Sequence, residues 1–300
     1  MSIGQREGIW LGFGLAVGGT LLFSLKSIFI KLLYQQGLEA DAVLVLRMFI
    51  ALPLYLMMLG FSLKKPEGRS ALTKPALFYT VIAGFLGYYL ASLLDLMGLE
   101  LITAQLERLT LFSYPLLVAL ISVIFFKERL QLRLVVALIV SYLGLALVMV
   151  QEELLLGSQV GLGVALVLAS ALAFAVYLSM SKPLIGRLGS VLFTSLAMSI
   201  SSLFVFSHGF ATIEWADVDV TSIAWFWLAL LAVFSTVIPS FMISAAIGQI
   251  GAVQTSAVGM LGPVFTIALA IYFLGEPFTL MIAIGALLVL TGVGSLQFKR

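Results

Sequence analysis

Residues 115–128, PLLVALISVIFFKE, and residues 263–276, PVFTIALAIYFLGE, each place a glutamate thirteen positions after a proline along an otherwise apolar run. The two stretches lie 148 positions apart, and so do Gly144 and Gly292. Nearer the N-terminus, Gly12, Phe23 and Lys31 precede Gly163, Phe174 and Lys182 by 151 positions. A net gap of three residues between such blocks is ordinary for a duplicated unit. The chain therefore reads as two copies of one unit, 9–150 and 160–297.

The surrounding composition says what the unit is made of. Of 300 residues, 62% are hydrophobic and 10% charged, against about 25% charged in a soluble domain. Apolar runs recur that are long enough to cross, as helices, a hydrocarbon core roughly 30 Å thick. Ten such spans are expected, near 9–34, 41–61, 76–96, 102–126, 130–150, 160–181, 189–207, 223–245, 252–274 and 277–297. The first is too long for a signal-peptide core and reads as a retained span.

Charge in the connections alternates. One set carries Arg6, then Lys64, Lys65, Arg69 and Lys74, then Lys127, Arg129 and Arg133, then Lys182 and Arg187, and finally Lys299 and Arg300. The other carries Glu39 and Asp41, Glu152 and Glu153, Glu214, Asp217 and Asp219, and Glu276, without a Lys or Arg. Excess Lys and Arg marks the cytoplasmic side, so both termini are expected there. Five spans per copy is an odd number, which inserts the second copy upside down. Inverted repeats let two equivalent halves expose a central site to each side in turn.

On these features the chain resembles the EamA-domain transporters of the drug/metabolite transporter superfamily. The resemblance covers almost the whole length, and the paired proline-to-glutamate spacing is its most specific part. It implies ten helices around a central cavity, in the cytoplasmic (inner) membrane of a prokaryote, and an exporter of amino acids or other small metabolites. The first copy departs from the usual form, with Lys127-Glu128-Arg129 where the second has Gly275-Glu276-Pro277.

Besides Lys31 and the connection charges Asp41 and Arg133, five charges fall inside the spans: Lys26, Arg47, Asp95, Glu107 and Arg108, all in the first copy and all in its outer half. Each costs at least about 2.5 kcal/mol near the bilayer centre, so such groups pair, face the bundle interior and mark pathways. Successive helical residues point about 100° apart. Glu107 therefore shares a polar face with Thr103, Thr110 and Tyr114, while Arg108 shares one with Ala104, Leu111 and Pro115. Asp95 extends the stripe Tyr88, Ser92; the second copy offers Ser170, Phe174, Tyr177 and Ser181 without a charge. Unequal half-sites fit a chemically asymmetric substrate. A purely structural account would pair Asp95 with Arg108, and Glu107 with Lys26 or Arg47. Three bases against two acids still leave one positive charge over, and Lys26 or Arg47 is expected to meet an anionic group of the substrate. The candidate binding or coupling residues are thus Lys26, Arg47, Asp95, Glu107, Arg108, Tyr114, Phe174 and Tyr177.

Pro115 and Pro263 each remove a backbone hydrogen bond within a span, and are the candidate hinges. Proton coupling through Glu107 or Asp95 is a further expectation. With no cysteine, no phosphate-binding G-x-x-x-x-G-K-[ST] loop and a single histidine, His208, placed in a solvated loop, neither an enzyme nor a cofactor, metal or nucleic-acid partner is indicated. The function expected is secondary transport: export of small metabolites such as amino acids or related carboxylates by alternating access. A multidrug or aromatic-compound exporter is the alternative, and a non-transporting membrane partner protein is a third reading, weakened by the short loops.

Overall fold

The computed structural model describes residues 3–125 and 131–297. Lys127, Glu128 and Arg129, which carry the first copy's half of the paired motif, lie outside the described residues, as do Lys299 and Arg300. Ten helices form one membrane-spanning bundle: α1 (Ile3–Tyr34), α2 (Ala40–Lys64), α3 (Lys74–Leu101), α4 (Ala104–Ile124), α5 (Leu132–Leu156), α6 (Val160–Leu188), α7 (Ser190–Thr212), α8 (Ser222–Gly251), α9 (Ala257–Leu274) and α10 (Leu280–Gln297). Among the described residues nine segments are long and apolar enough to cross a membrane, and the apolar part of α10, Leu280–Ser295, is shorter. No strand is present among them. Several helices outrun the apolar runs that predict them: α3 reaches Leu101 rather than 96, and α6 reaches Leu188 rather than 181. Polar residues at a membrane surface do not stop a helix; α6 ends where Gly189 takes φ +78°.

The internal duplication recurs in the helix ends and irregularities. Thr73 and Thr221, 148 apart, are the N-caps of α3 and α8, accepting from the N–H of Ala76 and Ala224 respectively. Both helices widen into a π-helical stretch at matching positions, Phe85–Leu90 and Val233–Val237. Proline explains the breaks in α4 and α9. Pro115 cannot donate to the carbonyl four residues back, and the first half of α4 ends at that residue, Leu111, before Tyr114–Phe125 resumes. Pro263 acts alike, with a helical segment ending at Gly259 and another starting at Leu261.

Packing also follows the duplication, by exchange between the halves. Gly12 of α1 lies so close to α8 that a Cβ there would sit 2.5 Å from Ile250; a Cβ on Gly163 of α6 would sit 2.6 Å from Ile102, just beyond α3. Helices α5 and α10 meet along a seam of small residues. A Cβ on Gly144 would come 2.7 Å from the Gly285 carbonyl, and one on Gly292 would come 2.9 Å from the Ala137 carbonyl. Residue 285 is 137 plus 148, and 292 is 144 plus 148, so the two contacts are one contact made twice. The fold is two inverted five-helix repeats with shared, reciprocal interfaces.

Candidate functional site

Between the halves lies a cavity of about 650 Å³, within the range of small-molecule sites. It reaches the start of α5 at Gln131 and Arg133, and Ser181 in the last third of α6, toward the face that carries the basic connections. At the opposite face the helix ends are tied together. The Glu276 carboxylate accepts from the N–H of Ala104 (2.8 Å) and Gln105 (3.2 Å) at the start of α4. Glu152 accepts from the N–H and the hydroxyl of Thr103, and Glu100 from the N–H of Ala40. Carboxylates are apt partners for the orphan N–H groups and positive dipole of a helix N-terminus. Burial pushes the Glu276 carboxyl above the ordinary range, against the pull of those two N–H donors and Lys31.

The charged candidates gather at the closed end of the cavity. Lys26 of α1 pairs with Asp95 of α3 at 2.6 Å. Arg108 of α4 donates to the Phe23 carbonyl (2.7 Å) and, across the repeats, to the Thr266 hydroxyl of α9 (3.0 Å). Ser27, next to Lys26, donates to Glu107 at 2.6 Å. These partners differ from the pairs Asp95–Arg108 and Glu107–Lys26 or Arg47 considered from sequence. The Arg108 face turns toward α1 and α9, leaving Asp95 to the lysine that α1 brings beside it. Arg47 of α2, 3% exposed, has no ion pair or hydrogen bond among the described residues, and its Nε is buried without a partner. One oxygen of Asp95, Oδ1, is likewise buried and unpartnered. Lys26, Arg47, Asp95 and Arg108 all line the cavity; Glu107, 1% exposed, does not.

The walls are aromatic and hydroxylic. Tyr114 and Phe174 line the cavity with ring centroids 5.3 Å apart. Tyr177 stands behind the wall, stacked on Phe174 and sharing a 2.8 Å hydroxyl contact with Tyr88, which does line it. Pro115 and Pro263 are both in the wall. His208, expected in a solvated loop, sits within α7, its ring against Tyr89 and 3.2 Å from Asp41. Sequence reading missed Ser235, Thr236 and Ser240 of α8, and Arg133, all lining residues. A signal for the first three existed. Adding 148 to Gly87, Tyr88 and Ser92 gives Ser235, Thr236 and Ser240, and the π-helical stretches turn both sets inward.

A lipid-embedded bundle of inverted halves around a cavity with a charged floor defines a membrane transporter. The chain belongs to the EamA-like transporter family, whose model matches residues 10–150 and again 161–296. Among similar proteins are the uncharacterized transporter YcbK of Bacillus subtilis (strain 168), 31% identical over 94% of this chain and 91% of its own length. Another is the uncharacterized transporter YetK of the same organism, 25% identical over 84% and 77%. A solved crystal structure superposes with a TM-score of 0.66 over 97% of this chain and 96% of that one, at 16% identity, a likeness of fold.

Proposed function

We propose that the chain is a secondary transporter of a prokaryotic cytoplasmic membrane that exports small metabolites bearing a carboxylate, amino acids foremost, by alternating access. One observation carries this reading. Arg47 offers an unpartnered donor and Asp95 an unpartnered acceptor, both buried and both in the wall of one cavity. Buried polar groups are ordinarily satisfied, and an uncompensated charge in a bilayer is costly. A zwitterion in the cavity places its carboxylate toward Arg47 and its ammonium toward Asp95, answering both side chains at once. The cavity's open end faces the basic connections, which the charge bias assigns to the cytoplasm, so this form is the one that loads substrate for export. The tied end at Glu276, Glu152 and Glu100 is then the external closure, and both termini are cytoplasmic. The aromatic wall of Tyr88, Tyr114 and Phe174 favours a second reading, export of apolar aromatic compounds.

Counterflow separates them. Purified protein in liposomes preloaded with an amino-acid mixture should exchange labelled amino acids offered outside. Arg47→Lys should weaken apparent affinity roughly tenfold or more, because losing one charge-assisted hydrogen bond costs about 1.5–3 kcal/mol and lysine lacks the planar fork. Unchanged affinity would remove Arg47 as the anion anchor. Exchange of neutral aromatic compounds alone, by folded protein, would select the second reading.

A further inference from the structure

Of the buried side-chain atoms left without a partner among the described residues, those belonging to the cavity wall are Nε of Arg47, Oδ1 of Asp95 and Oγ of Ser235. A zwitterion answers the first two and leaves the third. Ser235 is 1% exposed and lies in the π-helical stretch Val233–Val237 of α8. A serine within a helix commonly returns its hydroxyl to the carbonyl four residues back, as Ser195, Ser199 and Ser202 of α7 do. For Ser235 that carbonyl belongs to Leu231, and it accepts instead from the Thr236 hydroxyl, five residues on, at 2.9 Å. The wider turn passes the acceptor to the neighbour and leaves Ser235 over. Ser240, the next hydroxyl along the wall, is also engaged, donating to the Val237 carbonyl and touching the Tyr55 hydroxyl at 2.9 Å. Nor does the backbone require a hydroxyl at this place. The repeat-related residue, 148 positions earlier, is Gly87, in a stretch of the same kind, where a Cβ would come 2.3 Å from the Tyr177 ring.

We propose, resting on the amino-acid reading above, that Ser235 is a specificity-determining residue of the cavity: its hydroxyl pairs with the substrate's side chain and selects small amino acids bearing a hydroxyl or a carboxamide, in one enantiomer. The π-helical stretch packs against α1 and α2, the helices that bring Lys26 and Arg47 to the floor. Arg47, Asp95 and Ser235 come from α2, α3 and α8, two helices of the first repeat and one of the second. Two such contacts accept either hand of an amino acid. A third, on another helix, fixes which side the side chain must take. A serine hydroxyl both donates and accepts, and it is reoriented by rotation about one bond. It therefore serves a side-chain hydroxyl or amide alike, and a methyl not at all. An apolar substrate leaves the hydroxyl stranded, and the cost of a buried group left unpaired is what rejects it. The same cost falls on the apolar aromatic compounds of the second reading.

The test is counterflow by the full chain in liposomes, with labelled threonine and valine as probes, each offered in its L and D forms. The two differ by a hydroxyl in place of a methyl, so shape is held nearly constant. Wild type should take one enantiomer of threonine with an apparent affinity roughly three- to tenfold better than valine of the same hand, the worth of one neutral hydrogen bond. Ser235→Ala, smaller and without a polar group to bury, should bring threonine down to the level of valine while leaving valine within about twofold. Equal affinity for threonine and valine in wild type would overturn the assignment, and so would a preference that survives in Ser235→Ala. Equal exchange of both enantiomers would remove the third contact and the assignment with it. A folded Ser235→Ala protein that has lost valine exchange as well would make Ser235 a structural group instead. Exchange of no amino acid by folded wild type would overturn the amino-acid reading itself, and this one with it.

Discussion

Arg47 has no ion pair among the described residues, which under the proposed function sets substrate binding against stability. Arg47→Met should leave thermal stability in detergent unchanged or raise it, since an unpaired buried charge carries a desolvation cost that an apolar side chain lacks, while abolishing exchange of carboxylates. A scan of unfolding temperature beside the counterflow assay checks both halves. Lys26 and Asp95 should behave oppositely. Lys26→Met strands a carboxylate and should cost about 3–5 kcal/mol, and the double variant Lys26→Met with Asp95→Leu should recover much of that, a coupling that a double-mutant cycle measures. That these residues were unusual was legible in the sequence, because five charges stand out among apolar neighbours. Their partners were not, because periodicity tells which side chains share a face of one helix and not which faces meet. Hence Asp95 was offered to Arg108, whereas the fold gives it Lys26.

The helices themselves were legible as apolar runs, and their ends and irregularities less so. Nothing in hydropathy marks a π-helical turn, and α3 has one without any proline nearby, so the matching stretch in α8 is not the work of Pro239 alone. The breaks at Phe112 and Met260 were foreseeable from Pro115 and Pro263, each freeing a carbonyl four residues earlier. If these breaks bend during transport, Pro115→Ala and Pro263→Ala should slow exchange several-fold at unchanged half-saturation, seen in initial rates across substrate concentration. Along the α5 and α10 seam the glycines serve close approach instead. Gly144→Leu would drive a side chain into the Gly285 carbonyl and should destabilise the protein by several kcal/mol; loss of a monodisperse peak in detergent would report it.

A symmetric frame here carries asymmetric chemistry: the charged groups lining the cavity come from the first repeat, and the second answers with hydroxyls and rings. The tied end at Glu276, the external closure under the proposed function, has its own pH response. Opening would return Glu276 to water and to its ordinary pKa, so the closed form, where burial has raised it, holds the proton more tightly and is favoured as pH falls. A lone cysteine at Ile102, buried in the closed form, should label more slowly on acidification, relative to the same cysteine in Glu276→Ala. The chain has no other cysteine to interfere. The reciprocal seam of α5 and α10 has a further consequence. Contacts that swap partners across an axis are those of a homodimer, and only residues 157–159 join the two sides as a tether. Two fragments divided there and made together should find each other and exchange substrate, and the first fragment alone carries a surface already shaped to meet its own upturned copy.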